Sequence, residues 1–247
     1  MPNITRYNKL GFKVVLEQDW LNLALTLSLQ QKDVKDARET LRSFILSSGK
    51  RSVLTTDFAV NILSAWFDPD EDLVIFRDQL LKQAQILPQT QWPVLHWACF
   101  TAAYPFLLSF STIFGRLTSL QNETTKAQIL ARLQDIYGTR EAVERSLYYG
   151  MGSFINLGLI LRSPQKNTVK APDKIQIRNN ETGLLIWKAM IHATQGNRLS
   201  VNSLRHSPAL YAFEMPDIYV EQNYSLFPDL CFTQYANGGM LSLTKIS

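Results

Sequence analysis

The sequence is short of the residues from which most active sites and secreted scaffolds are built. Two cysteines in 247 residues, Cys99 and Cys231, stand far apart with no Cys-x-x-Cys spacing. This excludes a disulfide framework and a cysteine-rich zinc module, and it suits a reducing compartment such as the cytoplasm. Three histidines, His96, His192 and His206, give neither His-x-x-x-His nor His-Glu-x-x-His, so a zinc hydrolase lacks its ligands. No Walker-type phosphate loop occurs. Gly150-Met151-Gly152-Ser153-Phe154 lacks the closing glycine of a nucleophile elbow, and Gly150-x-Gly152 lacks the third glycine of a dinucleotide fingerprint. With 11 glycines and 10 prolines, collagen-like and low-complexity architectures are also excluded. No apolar run follows the start Met-Pro-Asn-Ile-Thr-Arg-Tyr, so no secretory signal is expected. These absences point to a non-catalytic binding protein without cofactor, metal or small-molecule substrate. Acids brought together only in space, as in a nuclease or other hydrolase, stay open as a third class.

Long uncharged runs are equally scarce. The exception is 92–114, which has no Asp, Glu, Lys or Arg and is long enough to span a bilayer. Pro105 divides it, lacking a backbone donor and disfavouring helical geometry at Tyr104. Two buried helices, at about 91–103 and 105–119, account for the same residues without a membrane, with His96 and Cys99 as core side chains.

What the chain does have is a 46% hydrophobic composition, enough for a substantial core, and a net charge of only +4. Cut into segments, that charge is uneven: +3 over 1–50, −2 over 51–122, +4 over 123–180 and −1 over 181–247. Arg162, Lys166, Lys170, Lys174 and Arg178 face one acid, Asp173. A cationic strip on a nearly neutral protein is what phosphate attraction needs, since each neutralised phosphate releases condensed counterions. A solvated basic loop without a partner would carry the same residues.

Hydrophobic spacing predicts a mainly α chain. Helices are expected around Trp20–Leu29, over 33–46, after a Thr55 or Thr56 cap, and after Asp68-Pro69-Asp70-Glu71, where Asp68 would cap. The alternating acids of that last start resemble a calcium loop, but Leu73 stands where glycine is needed and Gln79 where glutamate is needed. Helices are then expected over 123–136 and, after a Tyr137-Gly138-Thr139 connection capped by Thr139, over 140–156. Extended segments at 160–162, 168–170 and 174–177 follow, making a basic hairpin. A helix over 181–194 and a terminal hairpin about Asn237-Gly238-Gly239, pairing 230–235 with 240–246, complete the chain. Helix, helix, turn, helix and basic hairpin is the order of a winged helix-turn-helix. The expected units are a helical domain at 1–100, a winged-helix domain at 101–180, and a C-terminal helix and β-hairpin at 181–247 packed upon it.

Within 140–156, Val143, Leu147, Gly150, Met151 and Phe154 fall on one side at 100° per residue. The other side presents Glu141, Arg145, Tyr148, Tyr149, Gly152 and Asn156. Arg145 and Asn156 can donate to base edges or phosphates, the tyrosines can stack or touch sugar–phosphate, and Arg140 stands at the helix start, where free amides favour phosphate. The wing would add Arg162, Lys166, Lys170 and Lys174, with Arg178 extending the strip. Tyrosines are also enriched at protein interfaces, so a protein–protein adaptor uses the same face, and a purely structural role accounts for the two glycines.

Arg140-Glu141-Ala142-Val143-Glu144-Arg145, then Leu157-Gly158-Leu159-Ile160, and Ser207-Pro208-Ala209-Leu210-Tyr211-Ala212-Phe213 ahead of the terminal hairpin resemble the small A protein family of BREX bacteriophage-exclusion systems. The resemblance implies a mostly helical protein with winged-helix-like domains that binds double-stranded DNA without known catalysis. It also implies a place among other protein subunits in a bacterial antiviral defence assembly.

Overall fold

A computed structural model describes residue 7 and residues 10–49, 51–236 and 238–244. Helices dominate. Helix α1 (Gln18–Leu29), α2 (Val34–Ser47), α3 (Val53–Leu63) and α4 (Val74–Ile86) precede the two apolar helices α5 (Trp92–Ala103) and α6 (Phe106–Gln121). Asp33 caps α2 by accepting from Lys35 N at 2.9 Å. Two other starts differ from expectation. Ser52, not a threonine, caps α3, because Thr56 already lies inside the helix and donates to Ser52 O. Asp68 does not cap α4. It pairs with Arg38 of α2 at 3.2 Å, and a short 3-10 turn at Glu71–Leu73 delays the helix to Val74.

The uncharged stretch is two helices broken at Tyr104-Pro105. Nearly every residue of α5 is buried, as is α9 (Asn180–His192) from Thr182 onward, and the two pack against each other. A helix apolar on all sides belongs either in a protein core or in a bilayer; here neighbouring elements bury α5, and no helix among the described residues is long and apolar enough to cross a membrane. His96 is a core residue. It accepts from Trp66 Nε1 at 3.1 Å, sits 3.0 Å from Asn22 Oδ1, and burial lowers its pKa to about 3. Cys99 is buried and its thiol pushed up, chiefly by burial, with Arg77 opposing.

Between α6 and the end of the basic segment run β1 (Glu123–Thr125), α7 (Lys126–Tyr137), α8 (Glu141–Asn156), β2 (Leu161–Arg162) and β3 (Thr168–Lys170). The first three residues of the helix expected at 123–136 form strand instead. Thr125 is the reason: it accepts from Gln128 N while Gln128 Oε1 accepts from Thr125 N, a capping box that fixes the helix start at 126. The three strands form one antiparallel sheet in the order β1-β3-β2, with Glu123 opposite Lys170 and Arg162 opposite Val169.

Strand β4 (Ile175–Gln176) leaves that sheet. It pairs in parallel with β6 (Phe213–Glu214), drawn there by the burial of Ile177 and Phe213. Strand β5 (Arg198–Ser200), the short helices α10 (Val201–Arg205) and α11 (Val220–Asn223), and the hairpin β7 (Leu230–Tyr235)–β8 (Gly238–Leu243) complete the chain. The hairpin forms where expected but in a shifted register: Tyr235 stands opposite Gly238 and Leu230 opposite Leu243, so Gly238 and Gly239 belong to the strand rather than to the turn, and β5 pairs with β8 as a third strand. Asn237 and residues 245–246 lie outside the described residues.

The three expected units share one core, a buried cluster running from Phe12 to Leu241. A buried ion pair ties the hairpin to the helices. Lys188 of α9, wholly buried, donates to both Asp229 oxygens at 2.6 and 2.7 Å and to Gln79 Oε1 of α4, beneath the Phe227 ring at 4.7 Å.

Candidate nucleic-acid interface

The segment α7–turn–α8 is shaped by local chemistry. Gly138, at φ +79°, ends α7, and Arg140 N donates to Gly138 O at 3.0 Å. That closure makes Arg140, rather than the expected Thr139, the residue before the first turn of α8, and no side chain caps it. Val143, Leu147, Gly150 and Phe154 bury one side of α8 as their spacing requires. Met151 is only half-buried. With Ile155 it faces the β2–β3 loop, and between helix and loop lies a cleft of about 870 Å3.

Leu130, Met151, Ile155 and Val169 give that cleft an apolar floor, while Lys126, Arg162 and Lys166 bring positive charge to its walls against one acid, Glu144. Arg162 and Lys166 are exposed on the loop side. The loop is tight: Ser163 N donates to Thr168 O at 3.0 Å, and Asn167 takes the left-handed φ of +61° that asparagine tolerates. Ser163 Oγ donates to Glu123 Oε1 at 2.8 Å, fixing the loop base to β1.

Only part of the expected face of α8 is open. Tyr148 is 54% exposed, and Lys126 Nζ lies 5.5 Å from its ring. Arg145 is exposed but pairs with Glu141 at 3.0 Å, and Lys126 pairs with Glu144 at 3.0 Å. The two acids that would repel phosphate are thus each held by a cation. Arg140 Nε donates to Tyr137 O at 3.2 Å.

The remainder of the face is covered by 10–17. Gly152 lets Val15 so close that a Cβ there would lie 2.8 Å from its Cγ2. Leu16 N donates to Ser153 Oγ, and Asn156 Nδ2 donates to Leu16 O and Glu17 Oε2, all at 2.9 Å. Asn156 is therefore committed inside the chain, and Tyr149 is half-buried on the core and lines a cleft with residues 10–13. Lys170 is half-buried opposite Glu123, while Lys174 and Arg178 are exposed but flank β4, in the other sheet. The structure brings Tyr148, Arg162 and Lys166 together around one cleft, turns Arg145 toward the segment 10–13 on another side of α8, and sets Asn156, Lys174 and Arg178 apart.

Lys126 was the residue missed. Thr125-x-x-Gln128 places 126 at the first turn of α7, but only the packing of α7 on α8 brings it to Glu144 and Tyr148. Among the described residues no group of histidines, cysteines or acids could hold a metal ion. Comparison with known proteins finds no matching family model, no matching curated sequence and no matching solved structure.

Proposed function

We propose that this protein binds double-stranded DNA without catalysis, using α6, α7, α8 and the β1-β3-β2 sheet as a winged helix-turn-helix. The supporting observation is the order helix–strand–helix–turn–helix–strand–loop–strand with β3 central, joined to a cationic cleft between α8 and the loop. In this reading Arg162 and Lys166 of the wing and Lys126 of α7 contact phosphate, and Arg145 and Tyr148 reach toward the groove. Arg140 supports the helix start. Tyr149 and Asn156 act as scaffold beneath 10–17, and Lys170, Lys174 and Arg178 contribute long-range attraction. With so few free side chains on α8, sequence preference is weak and affinity is mainly electrostatic. The protein then works as a cytoplasmic component of a larger assembly, the bacterial phage-defence role that the BREX resemblance implies.

The apolar floor of the cleft favours a second reading, an adaptor that seats a segment of another protein there. Duplex titrations across salt separate the two. On the DNA reading, Arg162→Ala with Lys166→Ala lowers affinity equally for unrelated sequences and reduces the salt slope by about 1.8, or ~0.9 for each lost phosphate contact. Binding that is absent at low salt, or unchanged by the double substitution, defeats it and leaves the adaptor.

A further inference from the structure

A second cleft, of about 750 Å3, opens where 10–13, α3 and the first half of α8 meet. Its size falls within the ordinary range for small-molecule sites. Phe12, Phe58, Tyr104 and Tyr149 supply aromatic walls, and Phe12 and Tyr104 stand edge to face with centroids 5.5 Å apart. Two charged side chains line it, Lys13 and Arg145; both are cationic, and no carboxylate among the described residues joins them. Lys13 is exposed, with its Nζ 5.3 Å from the Phe58 ring centroid. Arg145 already pairs with Glu141, which does not line the cleft, at 3.0 Å across an exposed contact that a ligand carboxylate would share or displace. Aromatic walls with cations at the rim complement a flat apolar body carrying a negative group.

We propose that this cleft is a binding site for a small aromatic carboxylate, its ring among Phe12, Phe58, Tyr104 and Tyr149 and its anionic group on Lys13 and Arg145. The ring gains burial and edge-to-face contacts. The carboxylate gains charge-assisted hydrogen bonds, bidentate where the guanidinium is reached. Asn61, Ser146 and the two tyrosines offer neutral donors that an acid and its amide can share, whereas Lys13 and Arg145 add charge, so a charge-dependent preference is what they contribute. This goes beyond the DNA reading and does not depend on it.

The test is calorimetric titration of the full chain, without DNA, with indole-3-acetate and 1-naphthylacetate, each against its neutral amide. At least one acid binds saturably and at least tenfold more tightly than its amide. Lys13→Gln weakens the acid about tenfold and leaves the amide unchanged, while Ala142→Trp, at an exposed position on the cleft wall, removes binding of both. Lys13 and Ala142 are exposed, and the melting temperature of each variant is compared with the parent's as the check on folding. Should Ala142→Trp fail to fold, Arg145→Gln replaces it, with a loss like that of Lys13→Gln. Neither acid binding at millimolar concentration, acid and amide binding alike, or Lys13→Gln binding acid like the parent each overturns the proposal.

Discussion

Asp229→Asn removes one charge from the buried pair while keeping the shape of the side chain. Burial is the largest influence on Lys188 and lowers its pKa to about 8, with Asp229 opposing. Burial also raises the Asp229 carboxyl, but Lys188 and Gln79 more than offset this and hold it below its ordinary value. In the variant, Lys188 either keeps its proton unpaired, at a cost of about 3–5 kcal/mol, or gives the proton up. Giving it up forfeits roughly 1–2 kcal/mol at pH 7 and roughly 4 kcal/mol at pH 5, because each pH unit below the native value of about 8 adds ~1.4 kcal/mol. The cheaper route prevails, so the expected loss is roughly 1–2 kcal/mol at pH 7 and roughly 4 at pH 5.

The sign follows from the depressed lysine pKa. In the native protein, stability gains from Lys188 begin as pH rises through about 8 toward the unfolded value, whereas in the variant they begin at lower pH. The gap between the two therefore closes from pH 5 to 8 and stays small above it. Urea unfolding at pH 5, 7 and 9, with equal slopes checked for both proteins, measures this directly. A loss that is independent of pH, or that widens as pH rises, refutes the reasoning. Pairing Lys188→Met with Asp229→Asn should recover much of the pH 5 loss, since no buried charge is then left alone.

Gly115→Ala is expected to be severe, because its Cβ would lie 1.9 Å from Pro208 O, a backbone atom. A loss of about 3 kcal/mol or failure to fold is expected, and an unchanged melting temperature would contradict the close approach of α6 to Pro208–Leu210. Asn156→Ala frees Leu16 O and Glu17 from their donor and costs about 1–2 kcal/mol. Amide exchange should quicken across 10–17 while DNA affinity holds; loss of affinity at unchanged exchange would return Asn156 to the interface. With its pKa lowered to about 3 by burial, His96 stays neutral from pH 8 to pH 4, and its ring proton shifts are flat in an NMR titration. Because that pKa is depressed, stability falls by ~1.4 kcal/mol per pH unit below about 6.5. Titration of His96 near pH 6 would contradict the Trp66 and Asn22 bonds.

Much of the chain was legible because the governing forces are local. The apolar faces of α1, α2 and α8, the break at Pro105 and the 230–243 hairpin all follow from spacing and from residues with restricted backbones. Helix starts were less legible. Asp68, Thr56 and Thr139 each had capping chemistry, and Arg38, the run of α3 and the Gly138 turn decided otherwise. The candidate interface was half legible. Arg162, Lys166 and Tyr148 are open where spacing put them, but nothing near Asn156 in sequence reveals that Leu16 and Glu17 reach it.

The sequence by itself determined a mainly helical chain with a cationic strip and without a cysteine or histidine set for metal or disulfide chemistry. Helical period and composition act over a few residues and need no partner elements. Only the tertiary structure decided which of those charges stand together. It sent Lys174 and Arg178 to the β4–β6 pair, set Lys170 against Glu123, added Lys126 to the cleft and covered half of α8 with 10–17. Those outcomes depend on which distant groups bury one another's apolar surface and satisfy one another's polar atoms, and such pairings have no signature in local spacing.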